Sequence, residues 1–277
     1  LSTHVWITLD AVQNIEDGEL RNLLQDSAVR DMLVSGTMFP DGGYAVGDNY
    51  GEIAHWEPFH LSYLRWIQSN FNQPWSPEAR QHIAFLFGMT SHGMADQIFD
   101  SLYMERAKVF DKDSDWANKS MDEATDVAFV AEVGPQNVPA RWLPVETLRL
   151  IFANQHSHQV TDETLNRGQN LVGFAIAVVG MLANDPDTVI EYQAQFPWAT
   201  SHMRDPETRG TPAQISRVVQ EYWKRIWRRL HDESPTTDGV LSTLPDNNSW
   251  LVTSTSSLDS WVTIALPVHI DRGTVTS

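Results

Sequence analysis

The segment 84-AFLFGMTSHGMADQIFDSLYMERA-107 sets His92, Asp96 and Asp100 at i, i+4 and i+8 within an otherwise apolar run. Four residues turn an α-helix by about 400°, so the three polar side chains climb one face with a small drift, roughly 6 Å apart per step. Neighbouring members are close enough to share an ion, whereas His92 and Asp100 are about 12 Å apart and cannot meet at one. Phe85, Leu86, Phe87, Met89, Met94, Ile98, Phe99 and Leu102 leave little of this helix for solvent. A histidine and two carboxylates on such a helix are costly unless cations neutralise them, so the stretch predicts a core helix bearing a row of metal ions. Asp100 taken alone fits an exposed helix edge equally well.

Around it, helical periodicity dominates the first 235 residues. Helices are expected at about 2–13, 17–35, 55–70, 77–110, 121–132, 144–154, 162–184, 187–195 and 211–232. Start signals support several: Ser76-Pro77-Glu78 is a cap followed by proline, and Thr161-Asp162-Glu163 opens another long helix. The glycines and turn residues of 39–49 (FPDGGYAVGDN) predict a loop. Past about Ser234 the chain becomes rich in Thr, Ser, Val and Trp, and WLVTSTSS and WVTIALPVHI read as short strands. The expected fold is all-α, with residues 1–234 as a multi-helix domain and 235–277 as a small β-rich extension packed on it.

The chain has 277 residues and a formal charge of −17, with 36 acids against 19 bases. That surface disfavours sequence-independent attraction to phosphate backbones, so no nucleic-acid partner is expected. It is compatible with phosphoesters handled through metal ions, which bring their own positive charge. The absence of cysteine excludes disulfides and thiolate metal sites; any zinc must use His, carboxylate or main-chain ligands. No apolar run reaches membrane-spanning length, and the segment LSTHVWITLDA lacks the features of a signal peptide.

Further candidate ligands are His4 in STHVWI, Asp41 in FPDGGY, His55 in AHWEPF, and Asp122 with Asp126 in DEATD, again at i, i+4. A lone His4 reads as readily as a core histidine, and the Asp122/Asp126 pair as a solvated face. His156 and His158, at H-x-H spacing in a polar stretch, are less persuasive, as are His60, His82, His202, His231 and His269.

STHVWI, FPDGGY, AHWEPF and AFLFGMTSHGMAD, in that order over about residues 2–126, resemble the zinc-dependent phospholipase C family. Within it, the wording is most like the catalytic region of glycosylphosphatidylinositol-specific phospholipases D. The resemblance implies an all-helical domain with two or three zinc ions in a cleft. Asp41, His55, His92 and Asp96 would hold one ion, and Asp96 would bridge to a second completed by His4 and nearby main chain. Asp100, Asp122 and Asp126 would hold a third. The chain departs from the family's pattern there, since histidines usually stand where Asp100 and Asp122 do. An all-carboxylate site suits Ca²⁺, Mg²⁺ or Mn²⁺ better than zinc.

The implied activity is a metal-dependent phosphodiesterase of phospholipase C or D type, acting on phospholipid head groups at a membrane surface that it touches only peripherally, in a secreted or periplasmic location. Asp41 would orient or deprotonate the attacking water, helped by a glycine-flanked loop. Trp6, Tyr44, Trp56 and Trp116 would wall the head group through apolar or cation–π contacts, with plain core packing as each one's alternative. A single-strand nuclease of the same fold, or a non-catalytic metal- or lipid-binding module, are the competing readings.

Overall fold

A computed structural model of the protein describes residues 1–112, 119–138 and 142–231. Among the described residues the secondary structure is helical throughout. The predicted β-rich extension, 235–277, and Trp116 lie outside the described residues.

The quoted segment belongs to α6 (Pro77–Ile98), the axis of the molecule. Its start is fixed as the sequence indicated: the Ser76 hydroxyl accepts from the Ala79 N–H at 3.2 Å, and Pro77 occupies the first turn, where its missing N–H costs nothing. Phe85, Leu86, Phe87, Thr90, Ser91 and His92 are all fully buried, as a helix enclosed on every side requires.

Helix α3 (Arg30–Val46) crosses α6 at backbone contact. A Cβ on Gly88 would stand 2.0 Å from the Leu33 carbonyl oxygen, and one on Gly36 would stand 2.1 Å from that of Phe85. Only glycine permits this approach, which brings residues 37–41 over residues 88–96. Between α3 and α6 lie the short α4 (Tyr50–Ala54) and then α5 (Glu57–Asn70). The turn between α3 and α4 begins at Gly47, left-handed at φ +70°.

Helix α1 (Ser2–Asn14) packs on α6 and on α13 (Pro212–His231), while α10 (Asp162–Ala183) covers the far side of α3. Helix α8 (Lys119–Val133) closes one end, against α1 and α10. The remaining elements are α2 (Gly18–Leu24), α9 (Val145–His156), α11 (Pro186–Gln195) and α12 (Pro197–Ser201).

Three expectations are corrected. The single helix at 17–35 is two, α2 and α3, with a break at 25–29. The loop at 39–49 is instead helical to Val46, with Pro40 inside α3, so Asp41 sits on a rigid helix rather than in a glycine-flanked loop. The glycines there serve close packing: a Cβ on Gly43 would lie 2.1 Å from the Gly51 nitrogen. Finally, 77–110 is not one regular helix. It passes through a π-helical turn at Phe99–Met104 and resumes as α7 (Glu105–Phe110). Tertiary contacts fix the altered winding: Tyr103 donates its hydroxyl to the Ala199 carbonyl at 2.6 Å, and Asp111 accepts from the Trp198 and Ala199 N–H groups at 2.8 and 2.9 Å.

Candidate metal centre

His92 is fully buried and rises from the middle of α6. Its Nδ1–H donates to the Thr37 carbonyl of α3 at 2.7 Å, which leaves Nε2 as the atom facing the cleft. His55, the residue following α4, is held in the same way by the Gly51 carbonyl at 2.6 Å from Nδ1. The two Nε2 atoms stand 3.0 Å apart. With both Nδ1 positions committed as donors, two ring lone pairs point at one another and neither neutral ring can satisfy the other. A shared cation resolves this, and a backbone carbonyl fixing the far nitrogen is what orients a metal-binding imidazole.

Asp41 and Asp96 close the space. Asp41 Oδ1 lies 3.8 Å from His55 Nε2 and 3.6 Å from His92 Nε2; Asp96 Oδ2 lies 3.1 and 3.6 Å from the same atoms. The other oxygen of Asp96 turns to His4, with Oδ1 to Nε2 at 2.7 Å. His4 stacks on His92 with ring centroids 4.2 Å apart, and its buried Nδ1 has no hydrogen-bond partner among the described residues. Two ligand groups result, His4–His92–Asp96 and Asp41–His55–His92, and within each all the ligand atoms lie within 4.8 Å of one another. His92 belongs to both groups, and Asp96 turns one oxygen to His4 and the other toward His55.

The protonation states show how much cation this cluster asks for. Burial alone would favour neutral imidazole and protonated carboxyls. Against it, the Asp41 and Asp96 carboxylates push His92 up to about 10. Despite its burial, Asp41 is held well below the usual carboxylate range by His92; Asp96 is likewise held down by His4 and His92. His4 itself is lowered, by burial and then by the charge on His92. A proton on His92 thus stands where a divalent cation fits.

A layer of hydroxyls lies beneath. Thr8, Thr37 and Ser91 are buried and linked, Thr8 Oγ1 to Thr37 Oγ1 at 3.0 Å and to Ser91 Oγ at 2.8 Å. This network ties α1, α3 and α6 together directly behind His92.

The aspartates assigned to a third ion are placed differently from one another. Asp100 is on the π-helical turn, half-buried, and belongs to neither ligand group. Asp126 is buried and already engaged: it accepts from the Ser2 N–H at 2.9 Å, the Thr3 N–H at 2.7 Å and the Thr3 hydroxyl at 2.6 Å, capping α1. Asp122 is open to solvent on one side but enclosed on the other. That enclosure, with the Asp126, Asp96 and Asp41 carboxylates, pushes it up to about 6.

Of the aromatic residues, Tyr44 and Trp56 reach the centre, their rings 4.9 and 5.6 Å from that of His55. Trp6 instead packs edge-on against Phe129 at 5.1 Å, on the core side. Glu52 went unnoticed in the sequence. Its carboxylate accepts from the Tyr44 hydroxyl at 2.5 Å and from the Trp56 indole N–H at 2.8 Å, clamping both rings at the rim. Its spacing, three before His55 and four before Trp56, was the available signal. His158 pairs with Asp48 at 2.7 Å, outside both groups.

No protein-family model matches the chain, and no solved structure matches it significantly. Among curated proteins, phosphatidylinositol-glycan-specific phospholipase D of Rattus norvegicus is 31% identical over 179 residues, covering 58% of this chain and 21% of the relative. The Homo sapiens protein of that name is 29% identical over 183 residues (60% and 22%), and the Dictyostelium discoideum one 29% over 148 residues (50% and 16%). The chain spans only about a fifth of the length of these relatives. Over more than half of its own length, it is homologous to the phosphatidylinositol-glycan-specific phospholipases D.

Proposed function

We propose that the protein is a metal-dependent phosphodiesterase that hydrolyses phospholipid head groups, with a centre for two cations, zinc by the nature of its nitrogen and carboxylate ligands. The supporting observation is the 3.0 Å approach of His55 Nε2 and His92 Nε2, each with its Nδ1 tied to a main-chain carbonyl, facing the Asp41 and Asp96 carboxylates. Asp41, His55, His92 and Asp96 would hold one ion, and His4 with Asp96 the second. A divalent cation there supplies Lewis-acid charge for a phosphoryl oxygen and for activating water.

This chain's own residues do the rest. Asp41, on α3 and facing both His55 and His92, is the group to orient a water. Tyr44 and Trp56, fixed by Glu52, form the rim against which the head group packs. The hard oxygen site for Ca²⁺, Mg²⁺ or Mn²⁺ is carried forward through Asp122, because Asp126 spends both oxygens on α1. The names of the relatives put phosphatidylinositol-type lipids among the first substrates to try. A peripheral membrane contact and a secreted or periplasmic location belong to the same proposal.

The test is metal analysis of the purified protein joined to hydrolysis of phosphatidylinositol and phosphatidylcholine. Bound zinc with turnover that Asp96→Asn and His92→Ala both abolish is the expected result. Metal without turnover on any phosphodiester would overturn the reading in favour of a binding module. Turnover on single-stranded DNA instead would make it a nuclease.

A further inference from the structure

His4 is the ligand that α1 contributes, so its place depends on how α1 is held against α3 and α6. Polar anchors lie at three points along α1. Ser2 and Thr3 bind Asp126 of α8, and Asp10 accepts from the Ser216 hydroxyl of α13 at 2.6 Å. Between them sits Thr8, fully buried. Apart from His4 itself, it is the residue of α1 that hydrogen-bonds to α3 and α6 among the described residues.

The three hydroxyls behind His92 form a directed chain. Thr37 gives its single proton to the Leu33 carbonyl at 3.1 Å, so its oxygen accepts from Thr8 at 3.0 Å. Thr8, with its own proton spent, accepts from Ser91 at 2.8 Å. An apolar contact here would let α1 slide at little cost, whereas a buried hydroxyl that loses its partner is left without its hydration. The chain therefore fixes register as well as contact. Both of its ends belong to the centre: Ser91 adjoins His92, and the Thr37 carbonyl holds His92 Nδ1. Its middle lies one turn beyond His4, on the same face of α1. His4 Nε2 stands 2.7 Å from Asp96, and a slip of about 1 Å would part them.

We infer that Thr8 is the positioning residue for the second cation, pinning α1 through Thr37 and Ser91 so that His4 meets Asp96. This rests on the two-cation reading above. Its loss weakens the ion of His4 and Asp96 and spares the ion of Asp41, His55, His92 and Asp96. The selectivity follows from the helices. Those four ligands come from α3, α6 and the residue following α4, and the glycine crossing at Gly36 and Gly88 sets α3 against α6 without α1. His4 alone comes from α1.

The experiment is calorimetric titration of zinc into the metal-free protein, wild type beside Thr8→Val, Thr8→Ser and Ser216→Ala, with a thermal melt of each. Wild type should take up two ions. Thr8→Val, which keeps the shape and loses the hydroxyl, should hold one ion as wild type does and the other about tenfold more weakly. Thr8→Ser should restore the weakened ion. Ser216→Ala removes the anchor of α1 on α13, and should lower the melting temperature while leaving both affinities as they were. Should Thr8→Val not fold, Ser91→Ala removes only the donor to Thr8 and should show the same selective loss. Equal weakening of both ions, no weakening, or the same selective weakening in Ser216→Ala overturns the inference and leaves the two-cation reading standing. Fewer than two ions in wild type overturns that reading, and the inference with it.

Discussion

Asp126 shows at the residue scale how a carboxylate with metal-ligand spacing is drawn into another role. It accepts three hydrogen bonds from Ser2 and Thr3. These bonds hold it below the usual carboxylate range despite burial. Asp126→Ala should cost about 2–3 kcal/mol by denaturant unfolding, through loss of a charged cap and three paired donors. The same variant should keep its two ions; a variant of full stability that lost one would put Asp126 back among the ligands. His82 gives a pH prediction. Burial lowers it to about 4, and its Nδ1 shares a hydrogen bond with the Tyr63 hydroxyl at 2.7 Å. The folded value lies below the unfolded one, so the unfolded chain binds more protons between them. Stability is full above about pH 6.5 and falls as pH drops toward 4, by about 2–4 kcal/mol in all. His82→Gln, neutral throughout, should flatten the dependence between those pH values, as thermal melts across the range would show.

At the scale of elements, the crossing of α3 and α6 positions the chemistry. Thr37, whose carbonyl orients His92, and Asp41 both come from α3, while His92 and Asp96 come from α6. Gly88 allows the crossing. Gly88→Ala would put a methyl 2.0 Å from the Leu33 carbonyl and must push the helices apart. The expected cost is about 2–4 kcal/mol of stability, with metal affinity reduced at least tenfold because the His92 tautomer is no longer fixed. Isothermal titration of the refolded protein with zinc, beside a melt, reads both. An alanine variant with native affinity would mean that the crossing can relax without moving the ligands.

For the whole molecule, the centre joins α1, α3, α6 and the residue following α4, so cation binding should stabilise the fold as a unit. Chelation should lower the melting temperature by several degrees, since a ligand at a hundred times its dissociation constant contributes about 2.7 kcal/mol. Zinc added back should restore the midpoint, and Ca²⁺ should do so only in part, for want of affinity for imidazole. If chelation leaves the midpoint unchanged while metal analysis shows the ions gone, the cluster does not couple the helices.

What the sequence by itself determined is the set of amphipathic and buried helices and the list of polar residues that had no business in them. His92 and Asp96 were legible because period 3.6 placed both on a helix with no room for charge, and Ser76-Pro77 fixed where that helix starts. The glycines of 39–49 misled, since glycine marks a turn and a close helix crossing with the same letter, and only the neighbour across the contact decides between them. Likewise the π-helical turn comes from Asp111 and Tyr103 reaching α12, nearly a hundred residues away. The family resemblance, not periodicity, already set His4 with Asp96, while tertiary structure alone gave Asp126 to a helix cap and set Glu52 between Tyr44 and Trp56. Local periodicity fixes which face of its own helix a side chain occupies; which group it meets there depends on how distant helices cross.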